Sequence, residues 1–364
     1  MAPKINVFGI GISLLLIFIV HILCLFAPIP VFVQLFINSI CCVYIGCSLS
    51  IKLDSKSEKK PADESVETLS MKDAYMFPVY GSLVLFSLYI ILKIFNEAII
   101  STLFSVYFGF LGLLCLVNIL ENELEIYLPA LKSDFIFKKK LEWTLIKKKT
   151  FNLELTKLNI ITISIALVPT LLHFFTRNWM LNNVFGIAFS ITGIEALNLP
   201  NFKVGFILLW GLFFYDIFWV YGTDVMVTVA KSIDAPIKLL FPIDLAAEAP
   251  KFSMLGLGDI VIPGIFVALC LKFDVDTYIK TTKIWEIKTR YFNFCFSGYI
   301  LGIVTTFVVM VVFNNPQPAL LFLVPGCCLS ILGLALSRGE LKKLWEYEET
   351  PAVKSVDNAE MKTN

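Results

Sequence analysis

Leu255-Gly256-Leu257-Gly258-Asp259-Ile260-Val261-Ile262-Pro263-Gly264 places one carboxylate, Asp259, in an otherwise apolar run behind two glycines. A carboxylate at the centre of a bilayer helix costs about 2.5–3.5 kcal/mol on insertion scales, so it argues for function where it occurs. Whether this run belongs to a membrane follows from the rest of the chain. Of 364 residues, 57% are hydrophobic and only 16% are charged, with 33 Phe and a mean hydropathy of +0.80. A soluble chain of this length needs far more polar surface. The apolar residues fall in ten continuous blocks: 7–27, 31–51, 77–95, 98–120, 155–175, 182–199, 202–222, 253–271, 292–313 and 318–338. Blocks of about 20 residues match the thickness of a hydrocarbon core. Their continuity excludes a transmembrane β-barrel, whose strands alternate. The chain reads as an all-α polytopic membrane protein.

Threading the ten blocks back and forth puts 25 of the 30 Lys and Arg residues on one side. That asymmetry marks the cytosolic face and places both termini on it. Loops 176–181, 223–252 and 314–317 then fall on the lumenal side. The first block follows Met1 to Lys4, and a signal peptide and a retained anchor both fit it. Either way the second block enters from the lumenal side. The organisation expected is residues 1–28 as signal peptide or extra anchor, 29–222 as six membrane helices and 223–252 as a lumenal loop. Residues 253–338 follow as three membrane helices, and 339–364 as a polar cytosolic tail. The net charge of +1 carries no nucleic-acid signal.

One helix earlier lies a second carboxylate, Asp216, in Tyr215-Asp216-Ile217-Phe218-Trp219. Counted as helix from the lumenal block ends, Asp216 and Asp259 both sit roughly 9–10 Å deep. Consecutive antiparallel helices are ready neighbours. Two carboxyls at one depth can bracket a water, one ionised as base and one protonated to polarise a carbonyl. Such a pair shares a proton and titrates jointly. Gly256 and Gly258 remove bulk beside Asp259, and Tyr215 can donate a hydrogen bond beside Asp216. Close helix packing is the plain alternative for the glycines. Pro263 and Gly264 are expected to loosen the helix one turn on. In Asn314-Asn315-Pro316-Gln317-Pro318-Ala319-Leu320, the prolines are expected to keep an extended backbone beside the pair. Such backbone survives at membrane depth only where it lines a cavity or is buried.

Three signatures, Tyr215-Asp216, Gly256-Leu257-Gly258-Asp259 and Pro318-Ala319-Leu320, occur in that order on separate blocks. Together they resemble the intramembrane aspartyl proteases of the presenilin and signal peptide peptidase superfamily, over about residues 31–347. Residues 182–190, 225–242 and 317–325 are similar to the signal peptide peptidase branch. The resemblance implies a presenilin-like nine-helix core, with block 7–27 as an extra N-terminal segment. It implies Asp216 and Asp259 as the catalytic pair, with Pro318, Ala319 and Leu320 supporting the active site. No cofactor is implied. Presenilins carry a long hydrophilic loop between the catalytic helices and an inverted orientation; neither fits here. The large glycosylated N-domain of the endosomal relatives has no counterpart before residue 31, and no Asn-x-Ser/Thr sequon occurs.

The implied reaction is endopeptidic hydrolysis of signal-peptide remnants and type II-oriented transmembrane segments in the endoplasmic reticulum membrane. The implied partners are such substrates, the lipid bilayer, a homo-oligomer and ER-associated degradation factors. An ion or proton carrier or leak channel using the same carboxylates is the alternative, disfavoured because no inverted repeat is visible. A chaperone for misfolded membrane proteins would coexist with proteolysis. Glu195 reads as structural. The nine Cys lie in or beside apolar blocks and read as small hydrophobes. His21 and His173 stand apart from any acidic or thiol cluster, so no metal site is expected.

Overall fold

The computed structural model describes residues 7–26, 29–57, 69–128, 131, 135–143, 149–233, 235–243, 252–281, 289–313 and 317–349. Expectations on the 58–68 link, on Asn314, Asn315 and Pro316, and on the tail from residue 350 fall outside them. The helices are α1 (Val7–Phe26), α2 (Val31–Ser57), α3 (Met71–Ile94), α4 (Glu97–Tyr127), α5 (Lys157–Thr176) and α6 (Trp179–Ala196). They continue with α7 (Phe202–Tyr221), α8 (Val225–Ser232), α9 (Gly258–Thr281), α10 (Arg290–Phe313), α11 (Leu320–Ser337) and α12 (Leu341–Trp345). Two antiparallel hairpins join them, β1 (Phe135–Trp143) with β2 (Lys149–Thr156), and β3 (Lys238–Pro242) with β4 (Phe252–Gly256).

Among the described residues, seven helices are long and apolar enough to cross a membrane: α2, α3, α4, α5, α7, α10 and α11. The architecture is therefore polytopic and helical. Helices α6 and α9 occupy two further apolar blocks but carry more polar side chains. Asn182, Asn183, Ser190 and Glu195 of α6 are all buried, as are Lys272 and Asp274 of α9. Helices surrounded by protein need not present an apolar surface to lipid on every side. Glu195 takes a hydrogen bond from Asn118 Nδ2 at 3.4 Å.

Local sequence starts the helices. Asn96, Asn178 and Asn201 cap α4, α6 and α7 through their side chains, and Ser70 with Asp73 forms a capping box on α3. Tertiary packing arranges them. Helix α2 touches α1, α6 and α9, α7 touches α3 and α11, and α10 lies along α11. The outer helices α3 and α4 bury only 6% and 11% of their most apolar windows, against 67% for α2. The first two present most of their surface outward, and α2 runs through the interior. Eight of the nine cysteines are buried free thiols.

The segment expected as a lumenal loop, 223–252, contains helix α8 and strand β3. Val229 and Ile233 are buried against Leu85, Leu88 and Tyr89 of α3, so this stretch packs on protein. One expectation fails here: block 253–271 does not begin as helix. Its first residues form β4, and the helix starts only at Gly258. A strand rises about 3.3 Å per residue instead of 1.5 Å, so counting helical turns from Phe252 does not give the depth of Asp259.

Candidate active site

Asp216 and Asp259 stand on packed neighbours, α7 and α9, and their carboxyls lie within direct electrostatic reach of each other. Asp216 is 4% exposed, whereas Asp259 is half-buried. Asp259 is not a mid-helix residue. It occupies the first turn of α9, where unsatisfied backbone N–H groups and the positive end of the helix dipole favour a carboxylate. The cost of placing it in the membrane is thereby reduced, which the linear pattern did not reveal.

Asp216 Oδ2 accepts the backbone N–H of Leu320 at 3.2 Å. Leu320 opens α11, so its N–H is one of the donors that no helical carbonyl satisfies. Pro318 and Ala319 bring it there. Pro318 O accepts Leu321 N–H, Ala319 is already helical (φ −67°, ψ −35°), and all three residues of the motif are buried. Ala319 and Leu320 are therefore helical rather than extended, and the motif is a tight helix start aimed at Asp216. Tyr221, the last residue of α7, donates its hydroxyl to Gln317 Oε1, a second tie between the same two elements. Among the described residues, the hydrogen bond to Asp216 comes from Leu320, and Tyr215 turns toward Gly81 of α3.

The two glycines before Asp259 differ. A Cβ on Gly256 would stand 3.4 Å from Asp259 Oδ2, whereas one on Gly258 would meet only Ile262 at 3.9 Å. Gly256 clears the approach to the carboxyl. Helix α9 runs through Pro263 without a break. Gly264 serves close packing, since a Cβ there would lie 2.5 Å from Ile194 Cδ1.

The extended segment beside the pair is β4. Its partner β3 is clamped from the other side by α6. Asn183 Nδ2 donates to Leu240 O at 2.8 Å and Asn183 Oδ1 accepts Leu240 N–H at 2.8 Å, while Asn182 Nδ2 donates to Lys238 O at 2.9 Å. Gly186 gives Leu239 and Leu257 room against α6. Leu240 thus points its peptide groups away from β4, so its pair with Met254 is a non-hydrogen-bonded one. Alternation then turns the N–H and C=O of Phe252, Met254 and Gly256 toward the outer edge of the hairpin, which is open among the described residues. An amide pair in an apolar block is an expensive feature and was a visible signal for this clamp. Asn183→Leu should free both peptide groups of Leu240, at about 1–3 kcal/mol per unsatisfied group. Thermal unfolding in detergent should register that loss, and an unchanged melting temperature would contradict the clamp.

A bundle of membrane-length helices with two acidic side chains brought together inside it fits the class of intramembrane acid proteases. The signal peptide peptidase family model matches residues 61–351. The signal peptide peptidases of Mus musculus and Homo sapiens are each 39% identical over 315 residues, covering 85% of this chain and 80% of the relative. Intramembrane protease 2 of Caenorhabditis elegans is 48% identical over 226 residues, 59% of this chain and 48% of the relative. The chain belongs to the signal peptide peptidase family and is a multi-pass, intramembrane-cleaving aspartic protease.

Proposed function

We propose that Asp216 and Asp259 are the catalytic pair, that a water between them attacks the scissile peptide, and that Leu320 N–H holds Asp216 in place. The observation that carries this reading is the Leu320 N–H to Asp216 bond beside Asp259, which joins all three motifs at one point. One carboxylate takes a proton from the water as its oxygen bonds to the carbonyl carbon. The other carboxyl gives its proton to the carbonyl oxygen, and a gem-diol forms. The C–N bond then breaks, the first carboxyl protonates the leaving nitrogen, and the diol returns a proton to the second. The water is consumed, and both carboxyls end as they began. Purified protein with a helical transmembrane peptide tests the assignment: either Asp→Asn change should stop cleavage.

Substrate engagement follows from the open edge of β4. A transmembrane helix has its peptide bonds hydrogen-bonded internally, so it must unwind before a carboxyl pair can reach one. An unwound stretch pairing with Phe252, Met254 and Gly256 would regain hydrogen bonds as a third strand and run on toward Asp259. Met254→Pro removes only an outward-facing N–H, leaving the β3 ladder whole. It should lower kcat/KM by about tenfold per lost hydrogen bond of about 1.4 kcal/mol, with the fold intact. Unchanged kcat/KM on a transmembrane peptide would remove the edge from the reading.

Helices α2 to α7 with α9, α10 and α11 form the nine-helix core in this reading, and α1 is the extra segment. The catalytic residues then stand on the sixth and seventh core helices, with the Pro-Ala-Leu motif opening the ninth. The relatives' names point to signal-peptide remnants as substrates, and the Lys and Arg asymmetry points to a cytosolic C-terminus. Type II-oriented segments would enter in the matching direction. Residence in the endoplasmic reticulum, homo-oligomers and degradation partners complete the proposal on family grounds. Gly256, Gly258, Pro318 and Ala319 support the site, with Gly256 the closest to a carboxyl, and Tyr215 supports it by packing α7 against α3.

A further inference from the structure

The end of the bundle opposite the carboxyl pair is crossed by residues 340–349. Gly339, at φ +66°, turns the chain out of α11, and Glu340 takes the hydroxyl of Tyr291 on α10 at 2.8 Å. Leu344 is fully buried, and the Trp345 ring lies 5.9 Å from that of Phe206 on α7. The Tyr347 ring packs tilted against Phe202 of α7 and edge-on against Phe273 of α9, at 5.8 and 5.0 Å between centroids. Its hydroxyl donates to Asp276 Oδ2 at 2.8 Å. Glu349 N–H donates to Pro200 O just before α7, while its Oε1 meets Lys272 Nζ of α9 at 2.8 Å. Lys272 is 5% exposed and also donates to Asn198 Oδ1 at 2.6 Å. The segment therefore grips the start of α7 and the last turns of α9 at once. At 1.5 Å per residue, Asp216 and Asp259 each lie roughly 20 Å along their helices from that grip.

We propose that this strap is a positioning device for catalysis, with Glu349 and Tyr347 as the positioning residues, acting through Lys272 and Asp276. It rests on the catalytic pair proposed above. Helices α7 and α9 meet directly through Phe202 and Phe206 of α7 against Phe266 and Phe273 of α9, with ring centroids 5.4 to 6.0 Å apart, while α7 also leans on α3 and α11, and α9 on α2 and α10. That contact is apolar and non-directional, so it holds the two helices together but fixes their relative tilt less well than a polar tie does. The strap joins them by a buried ion pair, a tyrosine bond and an aromatic wedge. A small change in tilt at the strap displaces the carboxyls at the other ends. Neither Glu349 nor Tyr347 approaches substrate, so the strap acts on turnover and leaves binding alone.

The test compares wild type, Glu349→Gln, Tyr347→Phe and Asp216→Asn on one transmembrane peptide, per mole of monodisperse folded protein, with melting temperature measured alongside. Glu349→Gln should lower kcat by about 10- to 100-fold, the scale of a misplacement near 1 Å, with KM unchanged. Glu349→Asp should recover part of the loss. Tyr347→Phe keeps the ring and its packing and loses only the Asp276 bond. It should lower kcat in the same direction by a smaller factor, and it carries the test if Glu349→Gln does not fold. Wild-type kcat in both strap variants, or a change confined to KM, overturns the strap while a silent Asp216→Asn leaves the catalytic pair standing. Cleavage by Asp216→Asn overturns the catalytic pair itself.

Discussion

Asp216→Asn should reduce cleavage of a transmembrane peptide by at least about 10²- to 10⁴-fold, the range general acid–base catalysis supplies, while leaving the fold in place. The amide still presents an oxygen where Asp216 Oδ2 accepts Leu320 N–H, so the helix α11 cap survives. What it loses is the ability to take up and release a proton. Asp216→Ala is a different experiment. It leaves the buried Leu320 N–H unsatisfied, at about 1–3 kcal/mol, and the start of α11 should loosen as well. Asp259→Asn should match the Asn variant at position 216, because the pair acts as one unit and losing either member removes the shared proton. The double variant should be no worse than either single one. Single-turnover cleavage with parallel melting curves separates these cases. A wild-type rate in either Asn variant would dismiss the carboxyl-pair mechanism. Proton flux through liposomes carrying the wild-type chain, lost in the same variants, would favour a relay instead.

Gly298→Ala should be the most damaging single methyl group in the bundle. A Cβ at 298 would lie 2.2 Å from Gly326 O and 2.7 Å from Ser330 Oγ. The nearer atom is backbone, so no rotamer change relieves it. Gly302 is scarcely freer, with Leu323 Cα and Phe322 O at 2.9 Å. Helices α10 and α11 touch backbone to backbone here, which is how membrane helices gain packing where lipid offers no hydrophobic drive. Overpacking of this kind costs about 1–3 kcal/mol or more. The functional effect should exceed the loss of stability, because α11 must move outward and its first residue is Leu320. A folded Gly298→Ala protein with a lower melting temperature and kcat reduced about tenfold or more is the expected result. Retention of both wild-type values would mean that α10 and α11 have slack that this crossing does not show.

Much of the site was legible because a membrane makes polar residues conspicuous. Asp216 and Asp259 stand out against apolar neighbours, and their order with Pro318-Ala319-Leu320 is uncommon enough to indicate a family. Asn182 and Asn183 were visible by the same logic, but an amide does not announce its partner. Only the fold shows that Asn183 closes the edge of β3. The strap residues were harder still. Glu349 and Tyr347 lie in a polar stretch that reads as tail, and Lys272 reads as one more charge at a block end. Their significance comes from the ends of α7 and α9 meeting there, a contact across more than 70 residues of chain.

The sequence by itself determined the class. Twenty-residue apolar blocks require helices wherever lipid is the solvent, because backbone groups there must be satisfied within the segment. It also placed the two carboxylates and the Pro-Ala-Leu motif on separate helices. It could not separate strand from helix at Phe252–Gly256, since a short apolar run serves both and the choice depends on whether a partner strand waits beside it. Tertiary structure supplied that partner, β3, held in place by α6. It thereby moved Asp259 from mid-helix to a helix start, at the end of an open strand. It also made Ala319 and Leu320 a helix start whose free N–H meets Asp216. Hydrogen-bond partners far apart in the chain made both decisions, and no local pattern of residues encodes them.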